Sequence, residues 1–508
     1  VVERLRSQGK DVVDLGTDSD TACDYPEFAY AVASKVRSDP ASVGILVCAT
    51  GQGMAMSAGK VRGIRAVAPF SIEGARLSRI DNNANVLCLA GRMLSEADAL
   101  AMVDTWLSTS FAGGRHARRI AKVAAIETAS AVAFVTESER LQLSSRGFPA
   151  KLFERDVSLF AGPPIEKDRL DWVLLPQSMT EKISELASFA DHVRQARFKD
   201  VVLLFDAGQE ASAKLCPAWG AAGMRIHVLP SGDSEALTHV EEAIHLDTTL
   251  VLLLSTTPQI GKDLQAQEQH LWSRMLDHSL GNAQRAGQHF AAVTTAGTGL
   301  AQLAEMHRYA KVFVDAPGGV DAFGALGFAG LVPAVLAGVD PVRLLARAKT
   351  MADACRGPRL EDNPGASLGI LLGAMAKHGR CKLTLITSKS LEPLVPWVSH
   401  LLAQSTRDAH RGIVVLSGEP LKASYPPDRI FVHLQASEDP LAIPQESMEA
   451  LHIAGQPYIQ IGVADKLELA AEIFRWQIAA IVAALVLGAK PFAEPAEGAV
   501  APLGQPIS

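Results

Sequence analysis

Short β-branched and aliphatic runs alternate with helix-length amphipathic segments along this chain, and that alternation constrains the fold more than any other feature. In the N-terminal part the runs fall at 11–15, 43–48, 64–68 and 86–89. Strands separated by a helix run parallel, because the helix carries the chain back along the sheet, and a parallel sheet is covered on both faces. Runs at 201–204, 226–229, 250–254, 290–294 and 312–314 predict a second α/β unit. Those at 383–386, 413–416, 430–434 and 458–462 predict a third. At roughly 100–200 residues per domain, a chain of 508 residues has room for all three.

The spacing predicts a helix over 117–130, after which 136–164 carries polar residues, Gly147-Phe148-Pro149 and Gly162-Pro163-Pro164. This reads as a linker and sets the expected domains at 1–135, 165–338 and 339–508. The tail from Pro491 is rich in Pro, Ala and Gly and is expected to fray. The apolar run 478–488 is shorter than the roughly 20 residues of a membrane span. Gln477 and Lys490 flank it, so it reads as the core of a C-terminal helix or a subunit contact, and no membrane is expected.

A net charge of −7 without a Lys/Arg run argues against a nucleic-acid partner. Hydrophobic residues at 48% exclude a long disordered chain. The six cysteines have no C-x-x-C pairing, and His239, His245, His270 and His278 lack metal-ligand spacing, so neither a metal nor a disulfide framework is expected. Val1-Val2-Glu3-Arg4-Leu5-Arg6 reads as the middle of an amphipathic helix with no signal core, which suggests a truncated start and a cytoplasmic location. No Walker Lys-Ser/Thr or G-x-G-x-x-G follows a strand, which argues against a nucleotide.

The run 43–47 leads directly into Cys48-Ala49-Thr50-Gly51-Gln52-Gly53-Met54, and a helix is predicted over 55–60. A strand, a turn with two close glycines and a helix start present bare N–H groups to an oxyanion or phosphate. Cys48 at the strand end is either a small core residue or a thiol whose chemistry that helix start assists.

The residues around this loop resemble the ribose-5-phosphate isomerase type B family, which includes the galactose-6-phosphate isomerase subunits. The likeness rests on Asp14-Leu15-Gly16-Thr17, Asp24-Tyr25-Pro26, the run from Gly44 through Cys48 to Met54, Gly63-Ile64-Arg65-Ala66, Ala75-Arg76-Leu77-Ser78-Arg79, Asn82-Asn83-Ala84-Asn85 and Gly113-Gly114-Arg115-His116-Ala117-Arg118-Arg119, over about 1–130. The resemblance implies a cofactor-independent isomerase in which Cys48 moves a proton between C2 and C1 of an open-chain sugar phosphate. It implies that N–H groups around Thr50, Gly51 and Gly53 stabilise the enediolate, with Thr50 assisting proton transfer to a sugar oxygen. Asn82, Asp24 and Tyr25 are then expected at the sugar, and Arg115, His116 and Arg119 at the phosphate. It further implies a homodimer or larger homo-oligomer with shared sites, and a first strand, carrying an Asp-His pair, before Val1. The sequence departs from the family at Ala49, at Gly59, and at Asp81, which stands where many members carry a ring-opening histidine. Asp81 is the expected acid–base stand-in. Met54 stands where mycobacterial-type members carry a glutamate base.

From about Lys151 the chain resembles the phosphoglucose-isomerase-like half of transaldolase/glucose-6-phosphate isomerase fusions, built of two sugar-isomerase (SIS) α/β sandwich subdomains. The carrying segments include 331–340, Asn363-Pro364-Gly365-Ala366-Ser367-Leu368-Gly369, Ser417-Gly418-Glu419-Pro420 and Phe474-Arg475-Trp476-Gln477. By that resemblance the family's phosphate loops fall on Asp206-Ala207-Gly208-Gln209-Glu210 and Ser255-Thr256-Thr257-Pro258-Gln259. Its arginine, which follows paired glycines, falls on Ala322, with Val320 and Asp321 in place of those glycines and Gly318-Gly319 just before them, and its catalytic glutamate falls on Gln404. Gln477 replaces another glutamate. An amide accepts no proton at neutral pH, so this second site is expected to be degenerate. The expected whole is an α/β protein with a Rossmann-like N-terminal domain and two SIS subdomains, acting on ribose 5-phosphate. The alternatives are a non-catalytic sugar-phosphate-binding or assembly protein and a glucose-6-phosphate isomerase.

Overall fold

The computed structural model describes residues 1–492 except 18–20, 40, 162–164, 207–208, 216–222, 231, 316–320, 408–411, 421 and 423–424. The tail beyond 492, Gly162-Pro163-Pro164, Ala207, Gly208, Cys216, Gly318 and Gly319 lie outside the described residues. The chain divides into two compact units, the first formed by Val1–Ala131 with Glu449–Gln456. The second takes in 132–448 and resumes at Pro457.

The first unit runs α1 (Val2–Ser7), α2 (Tyr25–Ser38), β1 (Gly44–Cys48), α3 (Gln52–Ala58), β2 (Ala66–Val67), α4 (Ile72–Ile80), β3 (Val86–Ala90) and α5 (Glu96–Ser108) before α6 (Gly114–Ser145) begins. The three strands are parallel in the order β1-β3-β2, with Cys48 opposite Ala90. The central β3 is buried at every position, as a strand covered on both faces must be. Ala29, Ala33, Met54 and Ala58 of α2 and α3 pack on one face. Leu5, Ala75, Met102, Val103 and Trp106 of α1, α4 and α5 pack on the other. Ser71 and Ser95 accept the Gly74 and Asp98 N–H groups and so fix where α4 and α5 start.

The run 11–15 is not a strand, contrary to its composition. A strand needs a ladder partner, and among the described residues none pairs with it. The helix expected over 117–130 extends from Gly114 to Ser145. Over its described residues the segment 136–161 is likewise not a linker, because Leu143, Phe148, Leu152 and Leu159 are buried in the core of the second unit. Its polar residues lie between these widely spaced apolar ones, so composition alone hides the buried side.

In the second unit β4 (Asp200–Phe205), β5 (Arg225–Leu229), β6 (Thr249–Leu254), β7 (Phe290–Thr294) and β8 (Lys311–Val314) form a parallel sheet in the order β5-β4-β6-β7-β8. A second parallel sheet has the order β10-β9-β11-β12, from β9 (Lys382–Thr387), β10 (Val414–Leu416), β11 (Arg429–Ala436) and β12 (Tyr458–Val463). The principal helices are α7 (Lys262–His278), α8 (Phe328–Leu336), α9 (Pro341–Arg356), α10 (Pro364–Lys377), α11 (Leu394–Thr406) and α12 (Leu469–Leu487). Each of the expected subdomains 165–338 and 339–508 holds one sheet, but Leu203 and Leu252 of the first share one core with Leu383 and Val432 of the second. The two therefore form one compact unit.

The C-terminal helix is longer than the apolar run suggests. Lys466–Leu487 is apolar and long enough to cross a membrane by composition, yet 94% of its most apolar window is buried inside the fold. It lies against α10, where a Cβ on Gly365, Gly369 or Gly373 would come 2.6 Å from Ile478 Cβ, 2.4 Å from the Ala479 oxygen and 2.8 Å from Val486 Cβ. Glycine at this four-residue spacing brings the two backbones together.

Glu472 of α12 is buried against Arg475, 3.2 Å away, and its Oε2 has no partner among the described residues. Burial pushes its carboxyl from the usual 4.5 up to about 7. The native protein therefore holds a proton that the unfolded chain has lost between these values, and stability falls as pH rises from 4.5 to 7. Urea titrations of Glu472→Gln should lose that fall, with a gain at pH 8 on the order of 3 kcal/mol; a variant with an unchanged pH slope would remove Glu472 as its source.

Candidate active site

The N-terminal site is built on the carboxyl end of β1. Cys48 closes the strand half-buried, and its Sγ accepts the Gly51 N–H at 3.2 Å. Gly51 has φ +74, and a Cβ there would lie 3.1 Å from the Cys88 oxygen, so both conformation and space demand glycine. Gly51 also caps α3, placing the sulfur at a helix start. A Cβ on Gly53 would come 2.8 Å from the Tyr25 ring, so that ring, at the start of α2, closes over the first turn of α3. Thr50 is exposed, with Oγ1 accepting the Gln52 N–H at 3.4 Å. Asp24 stands at the start of α2 without capping it, its side chain exposed. Cys48, Thr50, Gly51, Gly53 and Tyr25 thus share one loop region.

A second group gathers where α4 ends and α6 begins. His116 Nδ1 lies 3.5 Å from Asp81 Oδ1, and Arg115 Nε donates to His116 Nε2 at 3.1 Å. An imidazole that accepts at Nε2 carries its proton on Nδ1, toward the carboxylate. Asp81 is therefore not the solitary stand-in that its position in the sequence suggests; it is the partner of His116. Gly113 and Gly114, at φ +66 and +52, turn the chain into α6, and Arg119 lies exposed one turn beyond Arg115. Asn82 is exposed, whereas Asn85 is structural, its Oδ1 taking the Arg65 N–H at 2.7 Å. Arg79 is structural as well, donating to the Ala84 oxygen at 2.6 Å with its guanidinium over Trp106. Among the described residues no hydrogen bond or ion pair joins the loop group to the Asp81–His116–Arg115 group.

Sequence reasoning gave Cys88 no role. It sits on β3 opposite Leu46, two residues from the position opposite Cys48, and burial pushes its thiol up to about 12. The repeated cysteine on neighbouring strands was its only sequence signal.

In the second unit Gln477 Nε2 donates to the Ala322 and Phe323 oxygens, both at 3.1 Å, and Trp397 Nε1 donates to the Ala322 oxygen at 3.2 Å. Ala322 and Gln477 are thereby committed to the core. Gln404, on α11, keeps a buried Oε1 without a partner among the described residues. No group of three or more His, Cys, Asp or Glu able to hold a metal occurs among the described residues. Gln477→Glu would turn a carboxylate on two carbonyl oxygens and should cost roughly 2 kcal/mol or more. Denaturant midpoints should fall more at pH 8 than at pH 4, where a protonated acid can still donate; equal losses at both would separate the effect from this contact.

Residues 1–123 match the ribose/galactose isomerase family. The probable ribose-5-phosphate isomerase B of Mycoplasma pneumoniae is 40% identical over 128 residues, 25% of this chain and 84% of that protein. Ribose-5-phosphate isomerase B of Escherichia coli is 40% identical over 127 residues, 25% of this chain and 85% of that protein. A glucose-6-phosphate isomerase from Chlamydia trachomatis shares the fold over 75% of this chain and 84% of its own, with a TM-score of 0.52 and 15% identity. That likeness is one of architecture alone. With a strand, thiol loop and arginine-bearing helix start at its N-terminal end, and the matched relatives covered over most of their length, the chain belongs to the ribose/galactose isomerase family, joined to a phosphoglucose-isomerase-like fold.

Proposed function

We propose that the N-terminal unit interconverts ribose 5-phosphate and ribulose 5-phosphate without a cofactor. The observation that carries this reading is the Cys48 sulfur held on the Gly51 N–H at the start of α3. In the forward direction the Cys48 thiolate takes the proton from C2 of the open-chain aldose, and the electron pair moves into a C1–C2 double bond with negative charge on O1. The N–H groups from Thr50 to Gly53 face that charge. Thr50 relays a proton from O2 to O1, and the Cys48 thiol returns its proton to C1, leaving the ketone at C2. Arg115 and Arg119, one helical turn apart, suit a phosphate dianion. The His116–Asp81 pair, with its proton on Nδ1, is assigned the opening of the furanose ring.

Because no hydrogen bond or ion pair among the described residues joins the thiol loop to the Asp81–His116–Arg115 group, the proposal includes a homodimer whose subunits complete each other's sites, working in the cytoplasm, where the thiol stays reduced. The second unit serves as a scaffold without phosphoglucose isomerase activity. Cys48→Ala should lower ribose 5-phosphate turnover at least about 100-fold with the fold intact by circular dichroism, and glucose 6-phosphate should not be turned over. Asp81→Asn should reduce kcat about tenfold or more and shift the acidic limb of the pH–rate profile, leaving phosphate affinity unchanged. Wild-type turnover that survives Cys48→Ala would refute the reading.

A further inference from the structure

The first sheet of the second unit reverses its strand order between β4 and β6, since β5 lies on one side of β4 and β6, β7 and β8 follow on the other. In parallel sheets the crevice for a ligand opens at the carboxyl ends of such a pair. Here β4 ends at Phe205 and β6 at Leu254, and the residues that follow meet across the crevice. Ser255 Oγ donates to Asp206 Oδ2 at 2.5 Å, and Thr257 Oγ1 lies 3.1 Å from the same oxygen and 2.6 Å from the Gln259 oxygen. The Gly261 N–H, at the start of the 17-residue α7, reaches Oδ1 at 3.2 Å and Oδ2 at 3.4 Å. Two hydroxyls and a helix-start N–H converging at a switch point make an anion cradle. The anion they hold is the protein's own carboxylate.

Independent features show that the place is built around this contact. A Cβ on Gly261 would lie 2.5 Å from Asp206 Oδ1, although φ there is an ordinary −59, so the glycine provides room for the carboxylate and not a special conformation. The Asp206 backbone is pinned on both sides, its N–H donating to the Leu254 oxygen and its oxygen accepting from Gln209 N–H at 2.8 Å. The loop opposite is fixed as well, the Gly299 N–H reaching the Pro258 oxygen at 2.9 Å and Thr295 Oγ1 the Thr256 oxygen at 3.3 Å. Gln209, 1% exposed, donates to Thr256 Oγ1 at 2.9 Å and leaves its amide oxygen without a partner among the described residues.

We propose that Asp206 is a built-in occupant of an oxyanion site formed by Ser255, Thr257 and Gly261, and that it closes this unit to phosphate monoesters. A phosphoryl group would need the Ser255 hydroxyl and the Gly261 N–H that the carboxylate already engages. The Asp206 site stands independently of the isomerase reading of the N-terminal unit.

The test is hydrogen–deuterium exchange on the full chain with inorganic phosphate as the probe. In the wild type, exchange of the loop 255–261 should be unchanged by millimolar phosphate. Asp206→Ser should exchange faster in this loop without phosphate, and slow again about tenfold once phosphate reaches ten times its dissociation constant. Asp206→Asn, which keeps the size and removes the charge, should behave alike and decides the matter if the serine variant does not fold. Gly261→Ala, which expels the carboxylate but fills the cradle, should speed exchange without rescue by phosphate. Peptides covering 48–54 and 113–119 report phosphate at the N-terminal site separately. Protection of the wild-type loop by phosphate, or a charge-removing variant whose loop neither loosens nor responds, would overturn the proposal.

Discussion

Burial of parallel strands on both faces is the constraint from which the placement of chemistry follows. β3, β4 and β6 are buried at every position, so the sheets have little room for unpaired polar groups along their length. Polar side chains are admitted where strands end and N–H groups of the next turn are still unpaired. Cys48 ends β1 and Asp206 follows β4, each beside a helix start. The equivalent place in two sheets thus holds a half-buried thiol on the Gly51 N–H in one unit and a carboxylate turned into its own loop in the other.

The second unit depends on close approach between α10 and α12. Glycines at 365, 369 and 373 let α12 lie against α10, and burying nearly the whole of α12 draws residues from both sheets into one core. On such a helix a buried amide needs partners for its N–H groups, and Gln477 Nε2 donates to the Ala322 and Phe323 oxygens. An ionised acid at 477 would face the same oxygens with no proton to offer. The amide at this position is therefore part of how the core is satisfied.

The sequence is most legible where a residue type has one physical use. Alternating aliphatic runs identified nearly every strand of the parallel sheets, and Gly51 could be read as a loop residue before its positive φ was known. The run 11–15 misled because β propensity describes a side chain that suits a sheet and says nothing about whether a neighbouring strand is present. The segment 136–164 misled in the opposite sense, its widely spaced apolar residues being diluted by exposed polar ones. In the candidate site, Cys48, Gly51 and Gly53 were legible through one continuous motif. The pairing of Asp81 with His116 was not, because 35 positions separate them and only the return of the chain from α5 into α6 brings them together.

Cys48 and Cys88 show why residue type and strand membership still leave the decisive step to geometry. They lie on adjacent strands, offset by two residues, with side chains on the same face. Cys88 belongs to the central strand and is fully buried, and its thiol is pushed up to about 12 by burial first and by the neighbouring Cys48 second. A thiol held that high remains protonated at neutral pH and can neither abstract a proton nor attack. Cys48 belongs to the strand that ends the sheet on this side, is only half-buried, and meets the Gly51 N–H beyond the last ladder position. Strand order leaves Cys88 in the core and places Cys48, half-buried, at the loop that follows β1.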